Sequence, residues 1–309
     1  MVCEIRFFSR TEGNCNGWRS MVQFWKRTVE GGSGMFRPAH IAFILLSAAL
    51  IAAGVLVIRR TRPPLDRLIK VCFVLGLISE AVKVFCVIEI LPVVEPVIEN
   101  GMLVYRQTGA FAPYLQAEHL PLELCSLQLV FMLLFLVIRR RSLKRKLLAL
   151  MYATALVGGV IAILLSSIAP EFKTAAAFFS APRAWQFFLY HAMIVTLGIA
   201  IGMDREYDLH FRDLRYALLG VLGLDFIIYY VNSVMSVPYY QGDTLMGIAY
   251  AVNYFSSYNN PLGIVMSSKA QYALYLLIRL VLAVALIVLV FVPFAVREKK
   301  EREAHVDPE

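Results

Sequence analysis

Seven apolar runs of about twenty residues each dominate the chain, and they constrain its fold more than any other feature. They cover residues 41–58, 68–91, 120–138, 147–168, 184–203, 214–237 and 270–294. In hydrocarbon each backbone N–H and C=O must find its partner inside the protein, so runs of this length predict helices and not open strands. The expectation is an all-α, polytopic membrane protein built as a seven-transmembrane-helix bundle. Composition agrees: 59% of the 309 residues are hydrophobic and 17% are charged, and mean hydropathy is +0.67. A soluble domain carries less apolar content, and a disordered chain far less.

Orientation follows from where the Lys and Arg fall. Alternate gaps, at 59–67, 139–146, 204–215 and after Phe294, hold 17 of them, whereas the other gaps hold only Arg106, Lys173, Arg183 and Lys269. The positive-inside rule then predicts the N-terminus outside and the C-terminus inside. The net charge of +8 is thereby a matter of topology, and nucleic acid is not the expected partner. Domain boundaries fall at 1–36 for an N-terminal tail, 37–296 for the membrane domain and 297–309 for a short charged cytoplasmic tail.

The tail departs from the charge rule, because the residues before Pro38 carry six Lys and Arg. It lacks the apolar stretch of a signal peptide. Glu30-Gly31-Gly32 before Met35 is what a purine-rich ribosome-binding site would encode if read through, so Met35 is the alternative start. No chemistry is expected of Cys3 or Cys15. The five Cys and five His show no metal-ligand spacing, so neither a metal nor another cofactor is expected. There is no phosphate-binding loop, no Gly-x-Ser-x-Gly and no clear internal repeat.

Ionisable groups inside a bilayer are costly, and each is a functional hypothesis with a partner to be named. Near the midplane lie Glu80 and Lys83 on the second span, Asp225 on the sixth and Arg279 on the seventh. Glu80 and Lys83 share a helix face. Two structural ion pairs, Glu80–Lys83 and Asp225–Arg279, account for all four charges; a charged cavity serving a transporter or carrier is the alternative.

A second layer lies in the outer half. His40 opens the first span. Cys125 falls about 8 Å inside the outer end of the third span, and His191 about 10 Å inside that of the fifth, at 1.5 Å per residue. A thiol and an imidazole at matching depth are the minimum for nucleophilic thiol chemistry. The stretch His119-Leu-Pro-Leu-Glu-Leu-Cys125 puts Pro121 at a helix start and Cys125 in the second turn, where the helix dipole favours a thiolate. On such a helix Glu123 would share a face with His119 rather than with Cys125. Gln128 and Asn232 are candidate oxyanion donors, and Arg279 or Lys83 a candidate phosphate holder. Gly158-Gly159 suits close helix packing.

Several of these stretches together resemble the YwaF-type family of bacterial membrane proteins, which includes vertebrate transmembrane protein 164. They are His40, Glu80, His119-Leu-Pro-Leu-Glu-Leu-Cys125, Ser167-Ile-Ala-Pro170 and Pro182-Arg-Ala-Trp-Gln-Phe-Phe-Leu-Tyr-His191. Asn232 and the pair Asn253-Tyr254 continue the likeness. Glu123 stands where many relatives have His, and residues 253–261 match only loosely. The resemblance implies a phospholipid acyltransferase or lipase with Cys125 and His191 as the catalytic pair. An acyl-thioester would form on Cys125, with membrane phospholipids or lysophospholipids as substrates. The expected location is the bacterial plasma membrane, with the site opening toward the outer leaflet.

Overall fold

The computed structural model describes residues 36–99, 102–166, 168, 174–241, 244–249, 252–256 and 268–306. The N-terminal tail with its alternative start at Met35, most of the Ser167–Pro170 motif and residues 257–261 lie outside the described residues.

Helix α1 (Pro38–Thr61) begins on a proline, whose missing N–H costs nothing in a first turn, and ends at Arg62 in the left-handed region (φ 43°) before Pro63-Pro64. Helix α2 (Leu65–Val87) follows. Strands β1 (Glu89–Glu99) and β2 (Met102–Tyr114) then form an antiparallel hairpin. A single 3-10 turn, Ala117–His119, and an irregular stretch lead to helix α3 (Leu127–Val137). Helix α4 (Arg141–Leu164), the short α5 (Ala175–Ser180), α6 (Pro182–Met203) and α7 (Leu214–Val234) come next. A second hairpin, β3 (Val237–Gln241) with β4 (Thr244–Ala249), precedes the long closing helix α8 (Lys269–Val306).

The fold is therefore mostly helical but not all-α, since two hairpins stand at helix ends. Five helices, α1, α4, α6, α7 and α8, are long and apolar enough to cross a membrane. Helix α2 has the length, at 23 residues, but Lys70, Glu80 and Lys83 interrupt its apolar character. Helix α3 has only 11 residues, about 16 Å at the α-helical rise, and falls short of the bilayer by itself. The run at 120–138 reads as one span, yet its first seven residues are irregular: Pro121 provides no N–H, and Leu122 N–H turns back onto the Leu120 carbonyl at 2.7 Å.

Helix α6 is the hub and packs on α1, α2 and α4. Small residues allow this. A methyl group on Gly159 of α4 would come within 2.6 Å of Val195 Cγ2 on α6, so the close approach there requires glycine. Phe187, Phe188, Ile194, Val195 and Leu197 of α6 are buried. Phe43 of α1 is fully buried between Phe178 and Phe188, with ring centroids 4.9 and 4.7 Å away.

The two ends of the bundle differ in kind. At the basic end, Lys144 Nζ donates to Asp66 Oδ2 at 3.0 Å, joining α4 to α2. Arg145 donates to Asp213 Oδ2 through Nε and Nη2 at 3.0 and 2.6 Å. Arg297 Nη2 donates to Asp208 Oδ1 at 2.9 Å, and Phe211 N–H donates to Glu298 Oε1 at 2.8 Å. The opposite end carries both hairpins and the irregular segment that contains Cys125.

Candidate active site

Cys125 does not sit in a helical turn. It lies two residues before α3, in a run of turns at 120–126, next to Ser126 at the N-cap position. Glu123 and His119 therefore do not share a helix face, because no helix joins them. The thiol is free and half-buried. The segment is held to the core by Tyr190 of α6, whose hydroxyl donates to the Cys125 carbonyl at 2.8 Å. Leu124 lies over Gly158 of α4, where an added methyl would meet Leu124 Cδ2 at 3.3 Å.

His191 follows Tyr190 on α6 and is buried. Its Nδ1 lies 2.6 Å from the Phe187 carbonyl. A carbonyl can only accept, so Nδ1 carries the proton and Nε2 is left with a bare lone pair. Nε2 has no hydrogen-bond partner, the Cys125 sulfur included. This is the tautomer a general base needs, fixed by its own helix.

The other expected residues divide between chemistry and scaffold. His40 is fully buried; its Nδ1 accepts from Phe36 N–H at 3.0 Å, and its Nε2 donates to the Ile163 carbonyl at 3.0 Å. With both nitrogens engaged it pins the start of α1 to the end of α4. Gln128 is fully buried, and its Nε2 donates to Thr154 Oγ1 at 2.5 Å while Oε1 is bare. Thr154 Oγ1 gives its own proton to the Leu150 carbonyl at 2.7 Å, which fixes the amide this way round. Gln128 thus keeps an unpartnered acceptor, where the sequence pattern suggested an oxyanion donor.

Asn232 is not free to donate to an oxyanion either. Its Nδ2 donates to the Tyr254 carbonyl at 2.9 Å and its Oδ1 accepts from Tyr254 N–H at 3.2 Å. The Tyr254 hydroxyl donates to the Ala117 carbonyl, and burial pushes its pKa up to about 12, so it remains a donor throughout the physiological range. Phe255 and Ser256 follow in the left-handed region at φ 56° and 51°, a conformation that costs energy for non-glycine residues. The Phe255 carbonyl accepts from Arg279 Nη1 at 2.7 Å, the Ser256 carbonyl accepts from the Tyr275 hydroxyl, and Phe255 N–H donates to Glu123. Residues 253–256 therefore form a clasp tying α7, α8 and the Cys125 segment together.

The midplane charges pair as two ion pairs. Lys83 contacts Glu80 on α2, and Arg279 Nη2 holds both Asp225 oxygens at 2.7 and 2.8 Å. Lys83 also acts electrostatically on Glu123 and Cys125. The Asp225–Arg279 pair lines an open groove of about 280 Å³ between α7 and α8 with Leu222, Phe226, Tyr229 and Leu277. Among the described residues no group of three or more His, Cys, Asp or Glu is placed to hold a metal ion.

Tyr190 and Thr154 are the residues of the candidate site that sequence reasoning missed. Tyr190 stands directly before His191, and a hydroxyl there inside an apolar run is a signal in itself. Thr154 gives no such signal, because a Thr in a helix usually bonds its own i−4 carbonyl, as this one also does.

Five membrane-length helices, a short half-length helix, and a buried imidazole beside a cysteine-bearing turn define a polytopic α-helical integral membrane protein with a polar site at one end. The chain belongs to the TMEM164 family, whose model matches residues 35–292. No curated protein and no solved structure matches it.

Proposed function

We propose that the protein is a membrane-embedded, thiol-dependent acyltransferase or lipase acting on glycerophospholipid acyl chains through Cys125 and His191. The observation that carries this reading is the bare Nε2 of a buried His191, held in the base tautomer one residue from the tyrosine that binds the Cys125 backbone. Burying an unpartnered polar atom costs about 1–3 kcal/mol, so its persistence points to a use. The irregular 120–126 segment supports it too. Non-helical backbone at membrane depth is tolerated where it is buried in protein or lines a cavity.

In this mechanism the Cys125 S–H proton passes to His191 Nε2, and the sulfur attacks an ester carbonyl carbon. The C–O bond breaks, the lysolipid alkoxide takes the proton from His191, and an acyl-thioester is left on Cys125. A second lipid hydroxyl, or water, gives its proton to His191 and attacks the thioester. The C–S bond breaks and the thiolate regains the proton. Lys83, which acts electrostatically on Cys125, would favour the developing charge. Cys125 Sγ must approach His191 for the first step, and the turn that carries it allows this more readily than a helix would. In the membrane, α2 and the 120–137 stretch complete seven spans. The basic end faces the cytoplasm, and the site opens toward the outer leaflet of a bacterial plasma membrane.

The test is acyl transfer from a labelled phospholipid in reconstituted vesicles. Cys125→Ala is expected to abolish it, with thermal unfolding in detergent unchanged, and mass spectrometry of the wild-type protein should find the acyl group on Cys125. Undiminished turnover by Cys125→Ala would overturn the reading.

A further inference from the structure

The β1–β2 hairpin is sided, and its sidedness points to what covers it. Register pairs Ile90 with Pro113, Pro92 with Phe111, Val94 with Gln107 and Pro96 with Tyr105. Side chains alternate along strands, so Ile90, Pro92, Val94, Pro96 and Ile98 share one face with Tyr105, Phe111 and Pro113. The irregularity between Pro92 and Val94 keeps this alternation in step on both strands. That face is apolar apart from Gln107. The opposite face mixes Leu91, Val93, Val97, Val104 and Tyr114 with all four charges of the hairpin, Glu89, Glu95, Glu99 and Arg106, the last two paired. The apolar face is uncovered, with Ile98 76%, Phe111 63% and Tyr105 61% exposed.

A two-stranded hairpin is at best marginally stable alone in water. Among the described residues, neither strand packs extensively on the helices. Something outside the described fold therefore holds the apolar face. Two observations select lipid. β1 begins two residues after α2 ends at Val87, so the base of the hairpin emerges where a membrane helix stops. The apolar face bears Tyr105, of the amphipathic aromatic type that favours the bilayer interface, beside Phe111.

We infer that the β1–β2 hairpin lies on the membrane with its Ile90–Ile98 face in the headgroup and upper acyl region and its Glu95–Arg106 face toward water. The hairpin carries more acid than base, so zwitterionic lipid suffices and anionic lipid gives no advantage. Because β2 runs directly into the segment that carries Cys125, this contact sets the height of that segment relative to the bilayer. The inference does not depend on the proposed chemistry.

The experiment places single tryptophans on the full chain, reconstituted in vesicles of zwitterionic phosphatidylcholine with bromine on its acyl chains. Emission is compared with the unsubstituted protein, whose three tryptophans give the background. Ile98→Trp is expected to be quenched several-fold more strongly than Glu95→Trp. Equal weak quenching at both positions would overturn the inference and leave the hairpin standing in water. Weak quenching of Ile98→Trp with a blue shift that grows with protein density would also overturn it, in favour of a second copy of the chain.

Discussion

The two ends of the helical bundle are built on opposite principles. At the basic end charged side chains find partners across helices: Lys144 with Asp66, Arg145 with Asp213, Arg297 with Asp208. At the other end, buried acceptors are left bare on His191 and Gln128, and the chain reaches α3 through the run of turns at 120–126. Saturated groups stabilise and do nothing further. Unsaturated ones cost stability and are retained where something must bind or react. The contrast is what the proposed site at the Cys125 end rests on.

Replacing His191 tests this contrast most severely. His191→Phe keeps the ring and removes the bare nitrogen, so acyl transfer should fall by about 10²–10⁴-fold while stability holds or rises, because a desolvated acceptor disappears. Transfer assays paired with thermal melts would check both halves, and a large loss of stability would break the comparison. Breaking the half-buried Asp225–Arg279 pair comes next. Asp225→Ala leaves the Arg279 guanidinium with the Phe255 carbonyl alone and should cost about 2–3 kcal/mol, and swapping the two residues should recover part of it in detergent melts. Asn232→Ala strands both the N–H and the C=O of Tyr254, so about 1–3 kcal/mol should be lost. It should also loosen the Cys125 segment through Tyr254 and Ala117, seen as faster alkylation of Cys125. At the basic end, Asp213→Asn weakens the Arg145 contact by about 1–2 kcal/mol and should leave transfer per folded molecule unchanged. A fall in specific activity there would mean that the two ends are coupled. The smallest effect on stability is expected from Gly158→Ala. Its methyl presses on Leu124 at 3.3 Å, a strain of about 1 kcal/mol or less, and reactivity of Cys125 is the more sensitive readout.

Most of the helical framework was legible because lipid leaves the backbone few options. The ranges for α1, α4, α6, α7 and the apolar part of α8 follow from run length, and Pro38 and Pro182 mark helix starts. The Asp225–Arg279 and Glu80–Lys83 pairs were also legible, since charges at one depth must neutralise one another. The hairpins were signalled less loudly. Asn100-Gly101 between β-branched stretches is a strong hairpin sequence, and Gly242-Asp243 stands between β3 and β4, but apolar strands next to a span look like its continuation. The turn at Cys125 stayed hidden for the same reason: Leu-Pro-Leu-Glu-Leu-Cys has the composition of a helix start.

By itself the sequence determined that this chain enters a membrane, where its long helices run and which residues are too costly to be there without a purpose. The matched depths it gave Cys125 and His191 assumed a helix from Leu120, where the structure has turns. Only the tertiary structure decided what each polar group is free to do. Spacing cannot say that Gln128 gives its N–H to Thr154, that Asn232 is consumed by Tyr254, or that His40 is saturated while His191 is not. Those outcomes depend on partners 20 to more than 100 residues away. A hydrogen-bonding group's chemistry is set by the lone pairs and protons left over after packing, and packing is a property of the assembled bundle.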